Sequence, residues 1–134
     1  MKVVLDTNVV MAGLLKDSIV REILLFSSVS FFLPELALKE LEKYKVDLCE
    51  KSGYSSEEFD LLVHSLLKKI NLVSEAQMRE YMFKADSIMK DIDAKDSSFI
   101  AAALAVNADG IWSFDEHFKK QNEIKVFGTK DLVL

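Results

Sequence analysis

Four carboxylates stand where a carboxylate can do chemistry: Asp6, Glu40, Asp96 and Asp115. Asp6 closes the apolar run Val3-Val4-Leu5 and is followed by Thr7 and Asn8. Such a run reads as a buried parallel strand, and open α/β sheets bind ligands beyond the carboxyl ends of their strands. Ile111-Trp112-Ser113-Phe114-Asp115 repeats the logic, an apolar strand followed by a hydroxyl and a carboxylate. Asp96 precedes a segment, Phe99 to Val106, that is apolar all round and therefore reads as a buried helix. On the helix after Pro34, Ala37, Leu41, Tyr44 and Leu48 define the buried face. Glu40 lies at its flank, aligned with Leu36 and Tyr44, while Glu35 and Glu42 point away.

Each acid also has a plain structural role open to it. Asp6 and Asp115 can cap the helices that follow them, Asp96 can oppose its helix dipole, and Glu40 can pair with Lys43. Parallel strands, however, put Asp6 and Asp115 on one edge of the sheet. Four carboxylates converging there repel one another unless cations intervene. Oxygen ligands without histidine or thiolate suit Mg²⁺ or Mn²⁺. Two such ions can activate a water and stabilise the leaving oxygen in phosphodiester cleavage. Asn8 or Ser113 can orient a carboxylate or bind a phosphate oxygen, and Thr7 secures the turn. Asp91 and Asp93 share a loop with Asp96; Asp93 could add to the cluster, but Asp96 is fixed closest to the buried helix.

The elements that position these residues alternate. Residues 2–6 read as a strand, 8–15 and 18–27 as helices, and Val29–Leu33 as a strand. Pro34, whose missing N–H is harmless at a helix start, opens a helix to about Glu50. The loop around Lys51–Ser55 leads to the capping box Ser55–Glu58 and a helix to about Lys69. A strand at Asn71–Ser74, a helix over 75–90, a loop at Asp91–Lys95 and a helix at Ser97–Asn107 follow. Gly110 then turns the chain into the strand Ile111–Ser113, and a short helix after Asp115, a strand at Ile124–Phe127 and a brief tail complete it. Strands alternating with helices imply a mainly parallel sheet covered on both faces, a three-layer α/β/α sandwich.

Composition sets the bounds. The chain has 134 residues, enough for one domain over 1–134 with its own core. It carries one cysteine, Cys49, read as a free buried thiol; no intrachain disulfide can form, which fits a reducing, cytoplasmic setting. No apolar stretch reaches the length of a membrane span, and Asp6 and Asn8 interrupt any signal-peptide core. The net charge of −5 counts against a protein that holds nucleic acid by charge alone. It counts less against one whose clustered acids are neutralised by divalent cations.

Leu5-Asp6-Thr7-Asn8-Val9, Glu40-Leu41, Asp96 to Leu104 and Ile111-Trp112-Ser113-Phe114-Asp115 resemble, in order and spacing, the four signatures of the PIN domain family. The resemblance covers nearly the whole chain, and its specific parts are the opening segment and Asp96–Asp115. It implies a doubly wound α/β/α sandwich and Mg²⁺- or Mn²⁺-dependent cleavage of single-stranded RNA. It assigns the metal-site acids to Asp6, Glu40, Asp96 and Asp115, and the supporting polar residues to Asn8 and Ser113. Many small members are toxins paired with an antitoxin protein, and many form homodimers, so both partners are expectations here. A catalytically silent module binding a protein or RNA is the alternative. A phospho-receiver or phosphatase is disfavoured because Asp6 lacks a second aspartate two residues on.

Other residues draw attention with less reason. His117, two residues after Asp115, reads as outside the chemistry, because a metal lowers the pKa of its own water. His64 reads as partly exposed. Met78, Met82 and Met89, with Tyr81 nearby, read as core, a partner groove being the alternative. Lys68-Lys69 and Lys119-Lys120 read as solvated pairs, the second placed to meet RNA backbone. The helices near Ile23 and Phe59 offer apolar residues for a dimer face or for the core.

Overall fold

A computed structural model describes residues 1–15 and 18–133; positions 16, 17 and 134, including the end of the expected tail, lie outside the described residues. Five parallel strands form one sheet in the order β3-β2-β1-β4-β5. They are β1 (Lys2–Leu5), β2 (Ser30–Pro34), β3 (Ile70–Val73), β4 (Gly110–Trp112) and β5 (Val126–Phe127). The chain runs outward from β1 through β2 to β3, then returns to place β4 and β5 on the other side of β1. Parallel crossovers share one hand, so reversing direction sends the connecting helices to the opposite face. On one face α1 (Thr7–Leu14), α2 (Ile19–Phe26), α3 (Ala37–Lys43), α4 (Lys45–Ser52) and α5 (Ser56–Leu67) pack among themselves. On the other, α6 (Glu75–Met78), α7 (Met82–Met89) and α8 (Ser97–Val106) pack together, with α8 lying on β1, β2 and β4. This is the expected α/β/α sandwich.

The middle of α8 is buried on all sides, from Phe99 to Ala103, and its alanines let the helix approach the sheet closely. Leu104, Ala105 and Val106, toward its end, are only half-buried. A capping box at Ser55–Glu58 opens α5 as expected, and a second at Ser74–Gln77 opens α6. Gly53, at φ 72°, ends α4 in the left-handed conformation. A side chain at Gly110 would stand 2.6 Å from both the Lys125 carbonyl oxygen and the Phe127 ring, so β4 and β5 pair there only because the residue is glycine.

Several expectations are corrected. Pro34 is the last residue of β2 and not the first of a helix. The Glu35 N–H donates to the Val73 carbonyl at 2.9 Å, which carries the strand past the proline. Alternation turns the Pro34 nitrogen the other way, toward β1, beyond the last registered pair Val4–Phe32. The single helix expected to Glu50 breaks at Tyr44 (φ −96°, ψ 6°) into α3 and α4. Ala37, Leu41 and Leu48 are buried as their spacing requires, whereas Tyr44 sits at the break and is exposed. The helix over 75–90 is α6, a 3₁₀ turn at Arg79–Tyr81 and α7. Met78 and Met89 are fully buried and Met82 is half-buried, which is core packing. Ile23 and Phe59 are core residues too; the exposed apolar residues near them are Phe26 and Leu61. Cys49 is free and half-buried. Among the described residues, no helix is long and apolar enough to cross a membrane.

Candidate metal centre

The strand order reverses between β1 and β4, and the crevice at their carboxyl ends is where a doubly wound sheet binds its ligand. Asp6 follows β1 and Asp115 follows β4 by a short turn. The Asp6 N–H donates to the Trp112 carbonyl at 3.1 Å, which locks the two strand ends together. Ser113 then bridges the acids. Its hydroxyl donates to Asp6 Oδ2 at 2.8 Å and accepts the Asp115 N–H at 2.9 Å. Asp115 Oδ1 accepts the His117 N–H at 2.8 Å, starting the 3₁₀ turn Glu116–Lys120. Asp115 is therefore both a cap, as its plain reading requires, and a member of the cluster.

Asp6 and Asp96 behave differently. Both occupy N-cap positions, of α1 and α8, yet neither side chain makes a capping hydrogen bond. Asp6 is buried, and burial pushes its carboxyl above the usual range. The Ser113 hydroxyl and the amides of Asn8 and Thr7 oppose that rise, and the charge of Asp115 adds to it. Asp96 is raised to about 6, first by burial and then by Asp93, Asp6 and Asp115, with His117 acting in the opposite direction. Glu40, on α3, is mostly exposed, but its carboxyl is raised by partial desolvation and by Asp6. Thr7 faces Glu40 and favours its charged form, although its Oγ1 closes no hydrogen bond of regular geometry. The charge of Asp6 thus reaches both Glu40 and Asp96, and that of Asp115 reaches Asp6 and Asp96.

Asn8 is exposed and lines a cleft of about 470 Å³ with Met11, Tyr44, Lys51 and Phe114, a cleft to which none of the four acids contributes. Ser113 is buried beneath the acids, where it organises them. His117 stands much nearer the centre than the sequence reading placed it. Its Nδ1 lies 3.3 Å from Asp115 Oδ1, 3.4 Å from Asp93 Oδ2 and 4.0 Å from Asp96 Oδ2. Asp93 caps the 3₁₀ turn Ala94–Asp96 through the Lys95 N–H and faces His117 across the crevice. The sequence signal for this pair is weak: two short polar turns, each opened by an aspartate, with nothing to say that they face each other.

A divalent cation fits these residues. The His117 Nδ1, Thr7 Oγ1 and Ser97 Oγ atoms are buried and lack a hydrogen-bond partner, and each belongs to or adjoins one of the turns that carry the acids. Unpaired buried polar atoms are uncommon and costly. Asp6, Glu40, Asp96 and Asp115 are hard oxygen donors; among the described residues, Asp96 is the one of the four that joins a group at ligand spacing, with Asp93 and His117, their ligand atoms within 4.8 Å of one another.

The PIN domain signature matches residues 4–126. Two crystal structures share the fold. VapBC2 from Rickettsia felis, bound to a DNA fragment from their promoter, superposes with a TM-score of 0.72 at 18% identity, over 96% of this chain and 98% of that one. FitAcB from Neisseria gonorrhoeae superposes with a TM-score of 0.64 at 19% identity, over 98% of this chain and 100% of that one. Curated protein sequences yield no significant match.

Proposed function

The chain belongs to the PIN domain family, and we propose that it is a Mg²⁺- or Mn²⁺-dependent endoribonuclease that cuts single-stranded RNA. The observation that carries this reading is that Asp6 and Asp96 stand at the starts of α1 and α8, close no regular side-chain capping bond, and sit among other carboxylates that raise them. Acids serving stability alone would take the capping bonds beside them. Acids serving a cation are held close together at the cost of mutual repulsion.

In this reading Asp6, Glu40, Asp96 and Asp115 hold the metal. When bound, it lowers the pKa of a water and neutralises charge on the cleaved phosphodiester. Ser113 favours the charged form of Asp6 and aims it by donating to Oδ2, and it fixes Asp115 through its backbone. The exposed Asn8 amide would donate to a phosphate oxygen. Exposed Lys119 and Lys120, on the turn after Asp115, can meet the RNA backbone and offset part of the chain's negative charge.

We propose further that the chain works in the cytoplasm as the toxin of a toxin–antitoxin pair and self-associates as a homodimer. VapBC2 and FitAcB, two solved neighbours, motivate the pairing, and the family resemblance motivates the homodimer. The test uses a fluorophore-labelled single-stranded RNA with Mn²⁺. Wild type should cleave it, chelation should stop cleavage, and Asp6→Asn and Asp96→Asn should each reduce the rate at least a hundredfold. Cleavage undiminished in both variants would refute the site. Mn²⁺ binding without cleavage of any RNA would instead favour the silent binding module.

A further inference from the structure

We propose that His117 is a metal ligand: its Nδ1 joins Asp93 and Asp96 to hold one divalent cation through a mixed nitrogen and oxygen set that favours Mn²⁺ over Mg²⁺. The inference deepens the nuclease reading and rests on it. Asp93, Asp96 and His117 each offer one ligand atom, and these atoms lie within 4.8 Å of one another. Two ligands at about 2.1 Å from one ion stand roughly 3.0 Å apart at a right angle and about 4.2 Å apart on opposite sides. The observed separations of 3.4 Å (His117 to Asp93) and 4.0 Å (His117 to Asp96) fall in that interval, and that between the two aspartates is at most 4.8 Å, so a small inward shift of the carboxylates closes the set on a cation.

The imidazole is arranged for a ligand's role. Nδ1 is buried and makes no hydrogen bond, although three carboxylate oxygens surround it. One of these, Asp115 Oδ1, is already engaged by the backbone N–H of His117 itself. That bond, with the capping bond of Asp93, pre-sets both turns before any cation arrives. The backbone of residue 117 is thus held by Asp115 whatever its side chain, so a substitution there removes the ligand and leaves the turn. Mg²⁺ prefers an all-oxygen shell with several waters, whereas imidazole suits the transition metals.

The chain has two histidines, His64 and His117, which makes the experiment direct. Pulsed electron paramagnetic resonance of the Mn²⁺ complex detects a ¹⁴N nucleus bonded to the ion. Nitrogen modulation should appear in wild type and in His64→Gln and vanish in His117→Gln. By calorimetry, His117→Gln should bind Mn²⁺ about tenfold more weakly and Mg²⁺ nearly unchanged. Modulation absent from wild type, or surviving in His117→Gln, overturns the inference and leaves His117 as a neighbour of the acids only. Mn²⁺-dependent cleavage without nitrogen coupling sinks this proposal while the nuclease reading stands. Failure to bind Mn²⁺ at all removes both.

Discussion

Replacing Asp96 with asparagine should make the metal-free protein more stable at neutral pH while destroying its proposed activity. Asp96 has a folded pKa of about 6 against an ordinary value of 3.8, raised first by burial and then by the charges of Asp93, Asp6 and Asp115. Between those values the folded chain keeps a proton that the unfolded chain has lost. The stability that this proton contributes is fully present below pH 3.8 and is lost as pH rises through about 6. A shift of about two units corresponds to roughly 3 kcal/mol at most, and solvent screening reduces that to about 1–2 kcal/mol. Asparagine has no such charge to desolvate. Urea unfolding in the presence of chelator, from pH 4 to pH 8, should therefore show Asp96→Asn matching wild type near pH 4 and exceeding it by about 1–2 kcal/mol at pH 8. A variant equally destabilised at both ends of the range would refute the reasoning, because Asp96 would then stabilise the fold through contacts and not strain it through charge.

Ser113→Ala removes the donor to Asp6 Oδ2 and leaves the Asp115 N–H unpaired, so unfolding free energy should fall by about 1.5–3 kcal/mol. The bond favours charged Asp6, so the deficit should widen from pH 4 to pH 8, as chemical denaturation at the two ends will show. Gly110→Ala drives a Cβ to 2.6 Å from the Lys125 carbonyl oxygen; a loss of at least about 1–3 kcal/mol is expected, read by differential scanning calorimetry.

Much of the site's location was legible in the chain itself. Val3-Val4-Leu5 and Ile111-Trp112 are apolar runs that end on polar residues, and such runs form buried strands wherever they are placed. The segment from Phe99 to Ala103 has no polar face, so it had to lie inside. Ser55 and Glu58 satisfy each other's backbone and start α5 without outside help. These are local properties, set by side-chain chemistry within a few residues.

Other features depended on neighbours far along the chain. Pro34 extends β2 because Val73 accepts the next N–H, and no local propensity encodes that partner. The helix breaks at Tyr44, leaving that ring exposed beside the cleft, whereas a continuous helical phase would bury it. Glu40 is one acid among several on its helices, and only the packing of α3 against α1, which starts next to Asp6, brings it under the influence of that acid. His117 looked incidental because its importance lies in a distance to Asp93, which belongs to the opposite side of the crevice.

The sequence by itself determined which residues could end a buried strand on a carboxylate, and so the class of chemistry available to Asp6 and Asp115. Tertiary structure alone decided that the strand order reverses between β1 and β4, that Ser113 ties the two acids together, and that Asp93 and His117 close on Asp96. The physical reason is range. Burial and capping act over a few residues and can be read from spacing, whereas electrostatic convergence needs separations of a few ångströms between groups that the chain keeps far apart until the sheet forms.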